Sequence, residues 1–503
     1  MRKTFTTQFC TAIVFALFIF QTGIYAQNAG AEAFPRLEPD PLALSFHRPN
    51  PRDYTWQELA EISLWASGVE FPGAAGASYL ERIFQIAESI NQSSELPADE
   101  REKAEFILEY MHRNVLSSYS LPQTRIDTML SNGRFNCVSS AVLYMILSKS
   151  AGLDVSGVVT RDHAFVTVLI DGYKIDVETT TRFGFDPGNR REFHDEFGRV
   201  TGFTYVPPRN DRDRQAISPI ELVSLIQRNR IAELESRNRF AEAVSVAVDR
   251  TTLLLGDLTN KRTAVTAGLF FEDPYQNLMD RIFNFGASLL RAGREEDCLR
   301  WAALASPKYP DERRWAEFTL AAVNNRITRF VRANQFAEAR VFLDAQKSVL
   351  NFSDYERFAS LLTDTELTSR ANSIRSFEDG ANVITAIQEA LENQRIGERR
   401  ANELLTFSIL RTASIITAAP GRDWLAGIDF IENAIASFGS SRELEQALQS
   451  YRNNRATDFH NRFAAAWNRR NFDEAERILN EGLAEFPNDR RLLANRDQIT
   501  RHR

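Results

Sequence analysis

Apolar residues in the first third of the chain recur at helical spacing. Thr55-Trp-Gln-Glu58 is a capping box, and Leu59, Ile62, Leu64 and Trp65 follow on the helix it opens. A second helix is predicted near residues 79–90. A third opens at Leu96-Pro-Ala-Asp-Glu100 and carries Ala104, Ile107, Leu108, Met111 and Val115 on one face. After a loop, Val138, Ala141, Val142, Tyr144, Met145 and Leu147 mark another helix. Ser131-Asn-Gly133 and Asn136 signal its start, and Gly152 its stop.

Beyond Gly152 the period drops to two. Residues 155–160 and 163–170 are β-branched and alternating, and Asp171-Gly172 is a preferred two-residue hairpin turn. That turn sets Ile170 opposite Tyr173, Thr167 opposite Asp176, Phe165 opposite Glu178 and His163 opposite Thr180. Cross-strand partners and alternate residues share a face, so His163, Asp176 and Glu178 project to one side. Helices followed by antiparallel strands predict an α+β unit closing around Pro207-Pro208.

From Ser218 onward the pattern is almost only helical, and one phrase recurs: polar residues, an aromatic, an acid, then a small residue. It reads Asn238-Arg-Phe-Ala-Glu-Ala243, Asn334-Gln-Phe-Ala-Glu-Ala339 and Asn471-Phe-Asp-Glu-Ala475. Looser copies are Gly293-Arg-Glu-Glu-Asp-Cys298, Phe377-Glu-Asp-Gly380 and Trp424-Leu-Ala-Gly427. These segments resemble the tetratricopeptide repeat, which implies paired helices stacked as an all-α array that binds a protein partner. The copies lie farther apart than that family's usual period, so helices must be lengthened or extra ones inserted. The organisation expected is residues 1–26 as a signal peptide, 27–52 as an extended lead-in, 53–215 as the α+β domain with its core at about 95–207, and 216–503 as helical repeats.

Composition adds constraints. The 503 residues are too many for one core, and 43% hydrophobic with 25% charged residues is ordinary for a soluble protein. Arg2 and Lys3, the apolar run 12–20 and Ile24-Tyr-Ala26 read as a secretory signal, so an exported, periplasmic or secreted protein is expected. Its removal takes the net charge from −7 to −9, which argues against nucleic-acid binding. No stretch is long and apolar enough for a stable membrane span. Cys137 and Cys298 are the two cysteines of the mature chain, too few for a disulfide scaffold. Histidines 47, 112, 163, 194, 460 and 502 have no metal-ligand spacing, so neither a metal nor another cofactor is expected.

Cys137 carries the chemistry. At the first turn of a helix, a thiol meets unpaired N–H groups and the positive end of the dipole, both favouring the nucleophilic thiolate. His163 can shuttle a proton, and an acid can fix its tautomer. His194 sits in a polar 191–196 run that reads as a solvated loop, so His163 is the better base. Phe135-Asn-Cys-Val-Ser-Ser140, His163-Ala-Phe-Val166 and Tyr173-Lys-Ile-Asp176 together resemble the transglutaminase-like (papain-like) superfamily over roughly residues 95–207. The resemblance implies Cys137 as nucleophile, His163 as base and then acid, and Asp176 as the orienting carboxylate, acting on an amide or peptide bond of a protein or peptide substrate. Hairpin pairing places Glu178 nearer His163 than Asp176, and both share the face. Gln123 and the backbone N–H of Cys137 are the oxyanion donors at hand. Glu178–Gly188 reads either as a wall of the cleft or as a turn cluster capping the sheet. Hydrolysis and transamidation both fit, and so does a relic domain in an envelope scaffold whose repeats carry the function. Cys298 occupies the slot filled by alanine in the other repeats and reads as structural.

Overall fold

The computed structural model describes residues 34–188, 190–208, 213–258, 271–310, 312–418 and 423–502. The expected signal peptide, residues 1–26, lies outside them. The chain forms two compact units, Met1–Glu312 and Arg313–Arg503. The first is α+β and then helical, and the second is all helical.

In the first unit, α1 (Pro41–Phe46), α2 (Trp56–Ala66), α3 (Ala74–Asn91) and α4 (Glu100–Asn114) precede the short strand β1 (Ser118–Tyr119). Then come α5 (Ile126–Asn132), β2 (Arg134–Phe135) and α6 (Cys137–Ser150). The lead-in is not simply extended. Asp40 caps α1, and Asp249 accepts from Arg36 at 2.7 Å and from the Asp40 amide at 2.8 Å. That ties the lead-in to α9 (Phe240–Leu255). Thr55 and Glu58 make the expected capping box on α2.

Helix α6 is the centre of this unit. Every residue from Cys137 to Ser148 is buried, serines included. A helix apolar all round has no solvent face and must be surrounded. Helices α2, α3 and α4 pack on it, as do strands β3 (Asp154–Thr160) and β4 (Ala164–Ile170). So does α8 (Pro219–Ser236), which starts on a Ser218–Glu221 capping box.

β3, β4, β5 (Tyr173–Val177) and β6 (Arg214–Ile217) make an antiparallel sheet in the order β5-β4-β3-β6. Asp171 and Gly172 both take left-handed backbone angles, φ 48° and 81°, as a type I′ turn requires. The register runs as anticipated through Ile170↔Tyr173 and Thr167↔Asp176. It stops at Val166↔Val177. The chain then folds back, with Glu178 N–H donating to Gly184 O at 2.8 Å. Glu178 and Thr180 therefore do not pair with Phe165 and His163. Strand β6 was not anticipated, because four residues reading Arg-Gln-Ala-Ile carry almost no period. The polar 191–196 run is not a loop but part of α7 (Arg191–Thr201), whose buried Phe193 and Phe197 pack on Phe165 and Tyr205.

The first unit also extends past the expected boundary at residue 215. Ile220, Leu222, Val223, Leu225 and Ile226 of α8 share one core with Val142, Tyr144 and Met145. After α9 it continues through α10 (Pro274–Arg291) and α11 (Glu295–Ala305).

The second unit contains α12 (Arg314–Arg332), α13 (Phe336–Ala345), α14 (Phe352–Asn372), α15 (Phe377–Glu392) and α16 (Glu398–Ala418). Then follow α17 (Trp424–Phe438), α18 (Arg442–Asn468), α19 (Phe472–Glu485) and α20 (Arg490–His502). The recurring phrase marks hairpin corners. Its aromatic is the first residue of α9, α13, α15, α17 and α19, and a left-handed residue such as Asn238, Asn334 or Arg470 makes the turn before it. Its small residue is buried between the paired helices; at Gly380, a Cβ would sit 1.9 Å from Thr412 Oγ1. The long repeat spacing comes from long helices, 21 residues in α14 and α16 and 27 in α18. No helix among the described residues is long and apolar enough to cross a membrane.

Truncation tests where the first unit ends. A fragment of residues 34–312 should unfold cooperatively in urea. One of residues 34–215, which strips α8 from the α6 core, should aggregate or bind a dye for exposed apolar surface.

Candidate active site

The turn into α6 sets the geometry. Asn136 has extended backbone, and its side-chain oxygen accepts from the N–H groups of Val138 and Ser139 at 3.0 Å each. The Ser139 hydroxyl accepts the Asn136 N–H in return at 3.0 Å. Asn136 Nδ2 donates to Leu121 O, and parallel pairing of β1 with β2 anchors the approach. Cys137 is thereby held at the first helical position, 7% exposed. It opens into a cavity of about 790 Å³. The amide N–H of Cys137 meets no acceptor among the described residues.

His163 stands just before β4, where Thr160 N–H donates to its carbonyl at 2.9 Å and closes the β3–β4 turn. Its Nε2 lies 2.6 Å from Glu178 Oε2, and both side chains are buried. Nδ1, the nitrogen left over, is buried without an oxygen or nitrogen partner among the described residues. The Cys137 sulfur is close enough to help hold a proton on the ring. Phe197 meets the imidazole edge-on at 5.2 Å, and the Phe203 and Phe165 rings lie at 5.6 and 6.3 Å. Burial among these rings disfavours the imidazolium, but the Glu178 carboxylate and the Cys137 sulfur outweigh it. Together they raise the His163 pKa to about 10.

The carboxylate against the imidazole is thus Glu178, and not Asp176. Its other oxygen, Oε1, accepts from the Thr180 N–H at 3.1 Å and hydroxyl at 2.8 Å. Thr179 is pinned between the Ser140 hydroxyl on α6, at 2.8 Å, and His112 Nε2, which donates to its carbonyl at 3.1 Å. Burial depresses the His112 pKa, and the neutral ring keeps that donor role. Gly184 completes the support, since a Cβ there would come within 1.8 Å of Glu178 O. None of residues 178–188 lines the cavity, so this loop holds Glu178 rather than walling the cleft.

Asp176 lies elsewhere on the same sheet face. Arg214 of β6 grips both its oxygens, at 2.7 and 2.8 Å, and the Tyr205 hydroxyl donates to it. The Arg214 guanidinium lies over the Phe165 ring at 5.1 Å. Asp176 and Arg214 therefore clamp the sheet from its two edges, with His163 left to Glu178. Asp176 sits two residues too early on β5, because the strand ends at Val177 and folds Glu178 back.

Gln123 Nε2 donates to Arg125 O at 2.8 Å and lines no part of the cavity. His194 is exposed, its Nε2 against Gly188 O. Cys137 and Cys298 are both free. Cys298 is fully buried, and that burial pushes its thiol pKa up. Sequence reasoning missed the far wall of the cavity, formed by α8–α10 through Leu225, Arg228, Ala232, Asn277 and Arg281. Its charges are internally paired, Arg228 with Glu272 at 3.3 Å and Arg281 with Glu235 at 2.9 Å. A scan against protein-family models finds no match for the chain, and a search of curated proteins finds none either.

Arg214→Met leaves Asp176 buried and without its ion pair, and should cost about 3–5 kcal/mol in urea denaturation. His163 gains its proton affinity on folding. Its pairing therefore stabilises the protein fully below pH 6.5 and is lost as pH rises towards about 10. NMR of the ring should show an imidazolium at neutral pH in the wild type, and a ring titrating at markedly lower pH in Glu178→Gln.

Proposed function

We propose that the chain is an exported, transglutaminase-like cysteine enzyme acting on amide or peptide bonds by acyl transfer. The 2.6 Å contact between Glu178 and His163, with Cys137 and His163 both lining the cavity, carries this reading. The thiolate of Cys137 attacks the amide carbon, forming C–S and placing the displaced electron pair on oxygen. His163, kept protonated by Glu178, gives its proton to the departing amine nitrogen as the C–N bond breaks. The resulting thioester is attacked by water or an amine, whose proton returns to His163, and the C–S bond breaks to restore the sulfur. Glu178 keeps the imidazole in one orientation and balances its charge throughout.

The cavity suits a short polar segment of a peptide. Its volume is that of an ordinary small-ligand site, and its far wall alternates arginine, carboxylate and amide groups with leucines. The helical hairpins of the second unit would bind a protein partner. Val341 and Phe352, 72% and 78% exposed, offer apolar contacts there.

Alkylation tests the assignment of roles. Iodoacetamide should label Cys137 faster than Cys298. His163→Ala and Glu178→Gln should each slow that labelling by at least about tenfold. Asp176→Asn, where the protein remains folded, should leave the rate close to wild type. Slowing by Asp176→Asn alone would reverse the assignment of the acid.

A further inference from the structure

The cavity that holds Cys137 and His163 is also lined by Arg250 of α9, Arg228 of α8 and Glu272. Arg250 is only 4% exposed. Its Nε donates to Ser224 O at 3.2 Å and its Nη2 to Glu272 Oε1 at 2.5 Å. Its Nη1 has no hydrogen-bond partner among the described residues. The other Glu272 oxygen faces Arg228 Nε at 3.3 Å, so one carboxylate serves two guanidiniums. Glu221, whose charge also reaches Arg250, is spent on the amides of Ser218 and Phe271 and makes no ion pair among the described residues. Glu235 is taken by Arg281 and Asn284. The carboxylate oxygens of Glu272 and Glu235 thus have their donors, while Arg250 and Arg228 keep N–H groups to spare. A guanidinium has five donors and no acceptor, so this wall calls for an acceptor from a ligand.

We infer that this end of the cavity is a carboxylate subsite, where Arg250 and Arg228 hold a carboxylate of the peptide whose amide carbon Cys137 attacks. The assignment rests on the acyl-transfer reading of the site. A guanidinium fork fits a carboxylate through two parallel N–H···O bonds. A second anion also gives each of the two guanidiniums its own counter-charge, which a buried cation needs. A neutral carbonyl or hydroxyl would accept a hydrogen bond and leave that charge uncompensated. The Phe271 ring, 5.6 Å from the Arg228 guanidinium, supports its position beside Glu272. The carboxylate belongs to an acidic side chain or to the free C-terminus of the substrate.

Iodoacetyl peptides of one to three residues test the subsite and separate the two sources. Each labels Cys137 by forming C–S as iodide leaves, without acyl transfer. One pair of reagents carries Glu or Gln under an amidated C-terminus; the other carries alanines ending in a free acid or an amide. In at least one pair the acid should label Cys137 about tenfold faster than its neutral twin, and that pair names the source. Read as this ratio within each protein, the preference should vanish in Arg250→Gln. Arg228→Gln, at a half-exposed position that leaves Glu272 paired with Arg250, should lower it at least about threefold and serves if Arg250→Gln does not fold. Arg161→Gln, at the exposed arginine of the same cavity, should keep the ratio. Equal labelling by acid and neutral twin at every length, with iodoacetamide still choosing Cys137 over Cys298, would overturn the subsite and leave the roles of His163 and Glu178 standing. A preference that survives Arg228→Gln, or is lost in Arg161→Gln, would overturn it too, by placing the anion elsewhere. Iodoacetamide labelling Cys137 no faster than Cys298 would remove both this assignment and the acyl-transfer reading.

Discussion

A buried carboxylate is stable only when its charge is paired and its oxygens are hydrogen-bonded, and that requirement organises the first unit. Glu178 meets it with His163 on one oxygen and Thr180 on the other. Thr179 next to it is held by Ser140 and His112, so the helix that presents Cys137 also positions the acid. Cys137, His163 and Glu178 come from three elements, yet hydroxyl bridges and one glycine lock them together. The surrounding phenylalanines keep water from competing for the ring.

Asp176 shows why geometry rather than motif decides such a site. Asp176 and Glu178 have the same alternation, the same face and the same charge. They differ in that β5 ends between them. Asp176 remains in the ladder and reaches Arg214 across the sheet, whereas Glu178 is folded back over Gly184 towards the imidazole. The pairing that brought Glu178 near His163 on paper assumed a longer strand. The proximity arises instead from a turn.

Much of the fold was legible because its signals are local. The capping box at Thr55, the two-residue turn at Asp171-Gly172 and the register beyond it as far as Val166↔Val177 follow from residues within a few positions of each other. Most helix corners were legible too, since an aromatic first residue and a buried small residue recur at the starts of α9, α13, α15, α17 and α19. What stayed hidden depends on contacts distant in sequence. Strand β6 exists because β3 has a free edge and Arg214 a partner in Asp176. Helix α8 belongs to the first unit because α6 is apolar all round and needs a cover, and no pattern within α8 announces which core it joins. In the site, Cys137 and His163 stand out by residue type and position.

The central claim is that Glu178 acts on Cys137 through His163. A double-mutant cycle of His163→Ala and Glu178→Gln, read by the alkylation rate of Cys137, tests it most directly. The account predicts that once His163 is gone, removing Glu178 has no further effect, so the double variant reacts as His163→Ala does. Additive slowing, with each loss multiplying the other, would show that the carboxylate does not work through the imidazole and would contradict the account.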